Sequence, residues 1–205
     1  MEELEYGPNG GLRLIAIYSF LMSHLDWLEE EIVGLDNDYL VFDMPGRFFT
    51  FLTGQIELYT HIPVLPMLAK HMHHHLGFRL CAAYLLESQF IVDKAKFFAG
   101  VMSAMSAMVM LEIPHINIMS KMDLIESQVR KSDLKRYLNP DPFLLIDEVN
   151  AKTNPRYHDL NRAIVQLIDD FHMVSFLPLN IDDEDSIAMI LAYIDDCSQW
   201  NEDQV

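Results

Sequence analysis

Residues 116–123 read INIMSKMD. Three of the first four are apolar, a run too short for an independent helix and suited to a buried strand. Ser120 ends the run, and Lys121 and Asp123 follow directly. A lysine and an aspartate two apart on a strand-end loop can clasp a guanine base. The carboxylate accepts from the ring N–H and the exocyclic amine together, while the lysine stem lies along the base plane. Adenine lacks that donor pair and would leave the carboxylate unpaired, a strong source of discrimination. Alone, K-x-D also describes an ordinary solvated turn. Its place after a buried strand is what raises it.

Three more apolar runs share this form. They are Tyr39-Leu40-Val41-Phe42 before Asp43, 80–86 before Glu87-Ser88, and Val174-Ser175-Phe176-Leu177 before Pro178. Each predicts a buried strand. Helical spacing fills the intervals, at about 12–32, 62–75, 90–110, 128–138, 158–171 and 186–200. Alternating strands and helices predict an α/β fold with a parallel sheet covered on both faces. In open parallel sheets chemistry gathers at the carboxyl ends of the strands, and Asp43 and residues 120–123 fall there. Before the last helix stand Asp182, Asp183, Glu184, Asp185 and Ser186. They supply acceptors where free backbone N–H groups need them, so they predict a helix cap rather than a metal site.

Composition limits the function classes. The chain has 205 residues, enough for one substantial core, and we read 1–205 as a single domain. With 51% hydrophobic and 22% charged residues it has a globular balance. A net charge of −17 argues against a nucleic-acid partner, which needs clustered Lys and Arg. The start MEELEYG has neither a basic nor an apolar leader region, and no apolar run is read as long enough to span a bilayer. These features predict a soluble, intracellular protein without a membrane partner. Cys81 and Cys197 stand far apart; Cys81 reads as a small core residue, and no disulfide framework is expected.

A second chemical candidate is Tyr6-Gly7-Pro8-Asn9-Gly10-Gly11-Leu12. Locally it is a tight turn leading into an amphipathic helix. It is not a Walker A loop, because no Gly-Lys-Ser or Gly-Lys-Thr follows. Taken with DMPG at 43–46, QIELYTH at 55–61, SQF at 88–90, LEIP at 111–114 and NIMSKMDL at 117–124, it resembles the GPN-loop GTPases. The likeness also takes in DWLE at 26–29, LIDDF at 167–171 and FLPL at 176–179, and so runs over nearly the whole chain.

The resemblance implies a three-layer P-loop NTPase-type fold, with GTP and Mg²⁺ as ligands. Two departures stand out. The family's phosphate-facing element runs uninterrupted as D-x-P-G-Q-I-E, whereas here 47–54 separates Asp43 to Gly46 from Gln55 to Glu57. Family members also place a strand, a Gly-Lys-Ser-Thr phosphate loop, a helix and a second strand before the GPN element. This sequence starts almost at that element, so the expected sheet lacks its N-terminal strand and phosphate loop.

By the same resemblance, Asp43 would organise Mg²⁺ through water and the Gly46 amide would sense the γ-phosphate. Gln55 would continue that loop, and Lys121 and Asp123 would read guanine. The loop of Gly7, Pro8 and Asn9 would reach a dimer partner's nucleotide, with Asn9 offering its amide to the terminal phosphate. The implied function is GTP binding and hydrolysis in the assembly and nuclear import of RNA polymerase II. The implied partners are GPN-loop GTPase 1 or a second copy, together with polymerase subunits. The implied setting is the cytoplasm, with nuclear shuttling. The alternative is a non-catalytic dimerisation module of the same family.

Two patterns rank lower. His71 and His75, four apart in HMHHH, allow a metal reading but fit a helix end better. Met102, Met105, Met108 and Met110 could form a plastic groove, but at helical spacing they read as core.

Overall fold

The structure, a computed structural model, describes residues 19–32, 34–35, 39–43, 63–125, 129–140, 146–147, 149–151, 153–170 and 174–200. The chain divides into two units, Met1–Phe78 and Arg79–Val205.

In the first unit, α1 (Leu25–Ile32) and α2 (Val64–His74) are described. Val64, Leu68 and Met72 recur four apart and form the buried stripe of α2. His71 Nε2 and Glu29 Oε1 lie 2.7 Å apart, tying α2 to α1. Gly77, at φ +75, turns the chain back so that the Phe78 N–H reaches the Met72 carbonyl at 3.1 Å.

The run at 39–42 does not form the expected strand. Residues 39–43 carry no regular structure, and Val41 is 84% exposed. The physical reason is that a strand is stabilised by its neighbour's ladder and cross-strand side chains. Apolar composition alone does not supply them.

The second unit holds the sheet. Strands β1 (Ala82–Glu87), β2 (His115–Ser120) and β3 (Phe176–Pro178) run parallel in the order β1-β2-β3. Helix α3 (Lys94–Leu111) connects β1 to β2. It starts at Asp93, whose carboxylate accepts from the Ala95 and Lys96 amides at 3.0 and 3.4 Å. That cap explains why the helical pattern at 90–110 breaks: Ser88–Val92 is a separate 3₁₀ turn. Helices α4 (Lys131–Leu138) and α5 (His158–Asp170) precede β3, and α6 (Glu184–Ser198) follows it. The acidic cluster before α6 caps it as expected, Asp183 accepting from the Asp185 amide at 3.1 Å.

Period-two alternation splits the strands between two cores. Leu86, Met119 and Phe176 face α3, α4 and α5 in a core centred on Phe97, whose ring meets Tyr137 edge-on at 5.1 Å. Ile116 and Ile118 point the other way, against Ile190 of α6. The second unit is therefore a parallel sheet with helices on both faces, the expected α/β arrangement.

One expectation is corrected by α3. At 18 residues and a mean hydropathy of 1.3 it is long and apolar enough to cross a membrane. Here it is the main core helix, with Phe97, Val101 and Ala104 fully buried. Met105 is buried with them, and Met102 and Met108 pack against the same core.

Candidate functional site

Where β2 ends, the backbone reverses its habit. Lys121 has φ 57 and ψ 45, a left-handed conformation that costs a residue with a β-carbon roughly 1–2 kcal/mol. The 3₁₀ turn Met122–Leu124 follows at once. Side chains three apart eclipse in such a turn, so Met122 and Ile125 both go into the core. Lys121 and Asp123 are thereby left on the exposed side. Burying 122 and 125 is what presents 121 and 123.

Three segments hold this turn. The Ser88 hydroxyl donates to the Lys121 carbonyl at 2.5 Å, and the Leu124 amide donates to the same oxygen at 3.2 Å. The loop after β3 supplies the Leu179 carbonyl, which accepts from the Met122 amide at 3.1 Å. Ser120, paired in register with Glu87, donates its hydroxyl to the Leu86 carbonyl at 3.3 Å. The Lys121 ammonium is 2.5 Å from a Glu87 carboxylate oxygen, both side chains being about half exposed. Exposed pairs of this kind contribute little stability, on the order of 0–1 kcal/mol. The Asp123 side chain is exposed, and among the described residues none makes a hydrogen bond or ion pair with its carboxylate. A carboxylate presented in this way can accept from two adjacent N–H groups of a ligand.

Glu87 and Ser88 escaped the sequence reading as supports. Their signal was positional: they follow β1 directly, as Lys121 follows β2, and neighbouring parallel strands deliver their ends to one place.

A family model described as a conserved hypothetical ATP binding protein matches residues 1–200. GPN-loop GTPase 3 of Schizosaccharomyces pombe is 61% identical over 206 residues, covering all of this chain and 71% of the relative. GPN-loop GTPase 3 of Yarrowia lipolytica is 56% identical over 204 residues, covering all of this chain and 72% of the relative. For the Saccharomyces cerevisiae protein of the same name the identity is 52% over 206 residues, with the same shares. The chain belongs to the GPN-loop GTPase family.

Of the positions the GPN-loop pattern singles out, Lys121 and Asp123 come together on the turn just described. Asp43 is exposed at the end of the irregular segment 39–43. Gly7, Pro8, Asn9, Gly46 and Gln55 lie outside the described residues, as does the stretch 47–54. Among the described residues no group of three His, Cys, Asp or Glu is placed to hold a metal ion. A nucleotide's Mg²⁺ is held by one or two carboxylates together with phosphates and water, and of the residues the pattern assigns to it Asp43 is among those described. The His71 to His75 run ends α2 as a helix terminus, His71 engaging Glu29 and stacking on His75 at 4.9 Å.

A cavity of about 170 Å³ lies elsewhere, lined mainly by Phe98, Met102, Ile146, Val149, Ile164 and Val165. No strand-end residue lines it, and we read it as a packing gap.

Proposed function

We propose that this chain is a guanine-nucleotide-binding GTPase subunit whose base specificity is carried by Asp123 and Lys121. The observation that supports it is the outward pair on the left-handed turn, with an Asp123 carboxylate that no described residue engages. The matching family model is described by ATP and the relatives by GTP. Chemistry favours GTP, since adenine offers a carboxylate no adjacent N–H pair. Bound GTP supplies the γ-phosphate that is transferred to water. Asp123 orients its base, and Lys121 covers the base plane with its stem.

The finer roles follow the family resemblance. Asn9, presented by Gly7 and Pro8, contacts the terminal phosphate in a partner's site. Asp43, Gly46 and Gln55 serve the phosphate side, with Asp43 toward Mg²⁺. The match across 1–200 supports treating 1–205 as one GTPase domain. Assembly with GPN-loop GTPase 1 or a second copy, action in RNA polymerase II nuclear import, and a cytoplasmic location with nuclear shuttling rest on resemblance alone. Co-purification with GPN-loop GTPase 1 and polymerase subunits tests them.

The test of base recognition is a change of partner chemistry. Asp123→Asn replaces an acceptor by a donor, which suits the carbonyl that xanthine carries where guanine has its amine. GTP affinity should fall about tenfold to a hundredfold, and XTP affinity should rise. Titration of both proteins with GTP, XTP and ATP reads this directly. Equal GTP and ATP binding by the unaltered chain would sink the proposal.

A further inference from the structure

We propose that Ser88 is a positioning residue for base recognition, holding the Lys121 peptide in the left-handed turn that presents Lys121 and Asp123 together. This rests on the base-reading role proposed above.

Ser88 and Asn117 are the buried polar residues among those described, and Ser88 is 0% exposed. A hydroxyl so buried needs a partner. A serine at the first position of a 3₁₀ turn commonly bonds locally, to its own turn. This one does not: its hydroxyl crosses from the end of β1 to the Lys121 carbonyl at 2.5 Å. Left-handed residues with a β-carbon persist where the surroundings over-determine them. At Lys121 those surroundings are the Ser88 hydroxyl and Leu124 amide on its carbonyl, with the adjoining Met122 amide anchored by Leu179.

Glu87 and Ser88 divide the task. Glu87 holds the ammonium of Lys121 from an exposed position, where water competes. Ser88 holds the backbone from a buried one, where water does not. If φ at 121 relaxed to negative values, Asp123 would swing relative to the lysine stem, and the two would no longer meet one base. Ser88 should therefore control selectivity, and Glu87 should control it far less.

The experiment compares the unaltered chain with Ser88→Ala and Glu87→Gln. Nucleotide titration gives the ratio of GTP to ATP affinity, and amide hydrogen exchange follows residues 121–125. Ser88→Ala should lower the GTP to ATP ratio roughly tenfold while leaving ATP affinity unchanged. It should also speed exchange of the Leu124 amide, which shares the Lys121 carbonyl. Glu87→Gln, which loses an exposed ion pair, should lower the GTP to ATP ratio less than Ser88→Ala does, and a larger loss than Ser88→Ala causes would overturn this division of roles. A further Lys121→Gly change, made in Ser88→Ala, should restore the exchange protection, since glycine takes positive φ without strain. No guanine preference in the unaltered chain would overturn the base-reading role and this inference with it. A preserved preference in Ser88→Ala, or unaltered Leu124 exchange, would overturn the Ser88 role alone.

Discussion

At the scale of single residues, Cys81 shows what a neighbour can do to reactivity. Its thiol is pushed up from 9.0 to about 12, first by burial and then by the charge and hydrogen bonding of Cys197. Both cysteines are free and pack beside Ile116, Ile118 and Ile190. The thiolate is the form that alkylates. At pH 8 native Cys81 should react with iodoacetamide more slowly than in the unfolded chain. Cys197→Ala removes two of the three causes and should speed the native reaction; peptide mass spectrometry of timed samples measures both. The apolar run pointed to a core position for Cys81, and the structure has it partly buried against the smaller core. The sequence held no sign of the meeting with Cys197, which depends on how α6 lies on the sheet. The same limit applies at the site. Lys121 and Asp123 were legible as a spaced pair after a strand, whereas the Ser88 bond to Lys121 spans two strands and has no local pattern.

At the scale of elements, the contact of α3 with β1 sets a tight limit on side-chain size. A β-carbon at Gly100 would come within 2.7 and 2.9 Å of the two Leu86 methyl carbons. Leu86 is itself 4% exposed and has little room to retreat. Gly100→Ala gains about 1 kcal/mol of helix propensity but costs roughly 1–3 kcal/mol in overpacking. We expect a net loss of about 1 kcal/mol in urea unfolding. In a Leu86→Ala background the clash is gone, and the same change should become stabilising. A penalty of equal size in both backgrounds would mean that the two side chains do not compete. The three strands of the second unit were legible as short apolar runs, the central one being buried on both faces, and most of its helices from their periodicity. The run at 39–42 had the same composition and formed no strand. What it lacked was a ladder, and a ladder belongs to the partner strand as much as to the run.

At the scale of the whole sheet, its two ends are chemically opposite. The carboxyl ends of β1 and β2 expose charged groups, Glu87, Lys121 and Asp123. The amino ends hold partly buried groups whose neutral forms are favoured. Cys81 precedes β1, and His115 opens β2 in register with Ala82. Burial pushes the His115 pKa below 6.5, against a smaller upward pull from its hydrogen bond to Asn117. Its Nε2 lies 3.2 Å from the Asn117 side-chain oxygen, and its buried Nδ1 has no partner among the described residues. Protonation would place an unmet N–H there. The depressed value means stability is present above about pH 6.5 and is lost as pH falls through the folded pKa. Cys81 works in the other direction. Its raised value means stability is present below pH 9.0 and is lost as pH climbs toward about 12. Thermal melts across pH should therefore show a plateau between these limits. His115→Gln should flatten the acid side, and Cys81→Ala should flatten the alkaline side. Neither should alter the GTP to ATP preference, which is set at the opposite end of the sheet. A change in that preference with either variant would show that the two ends are coupled, and would refute the division of the sheet into a structural end and a chemical one.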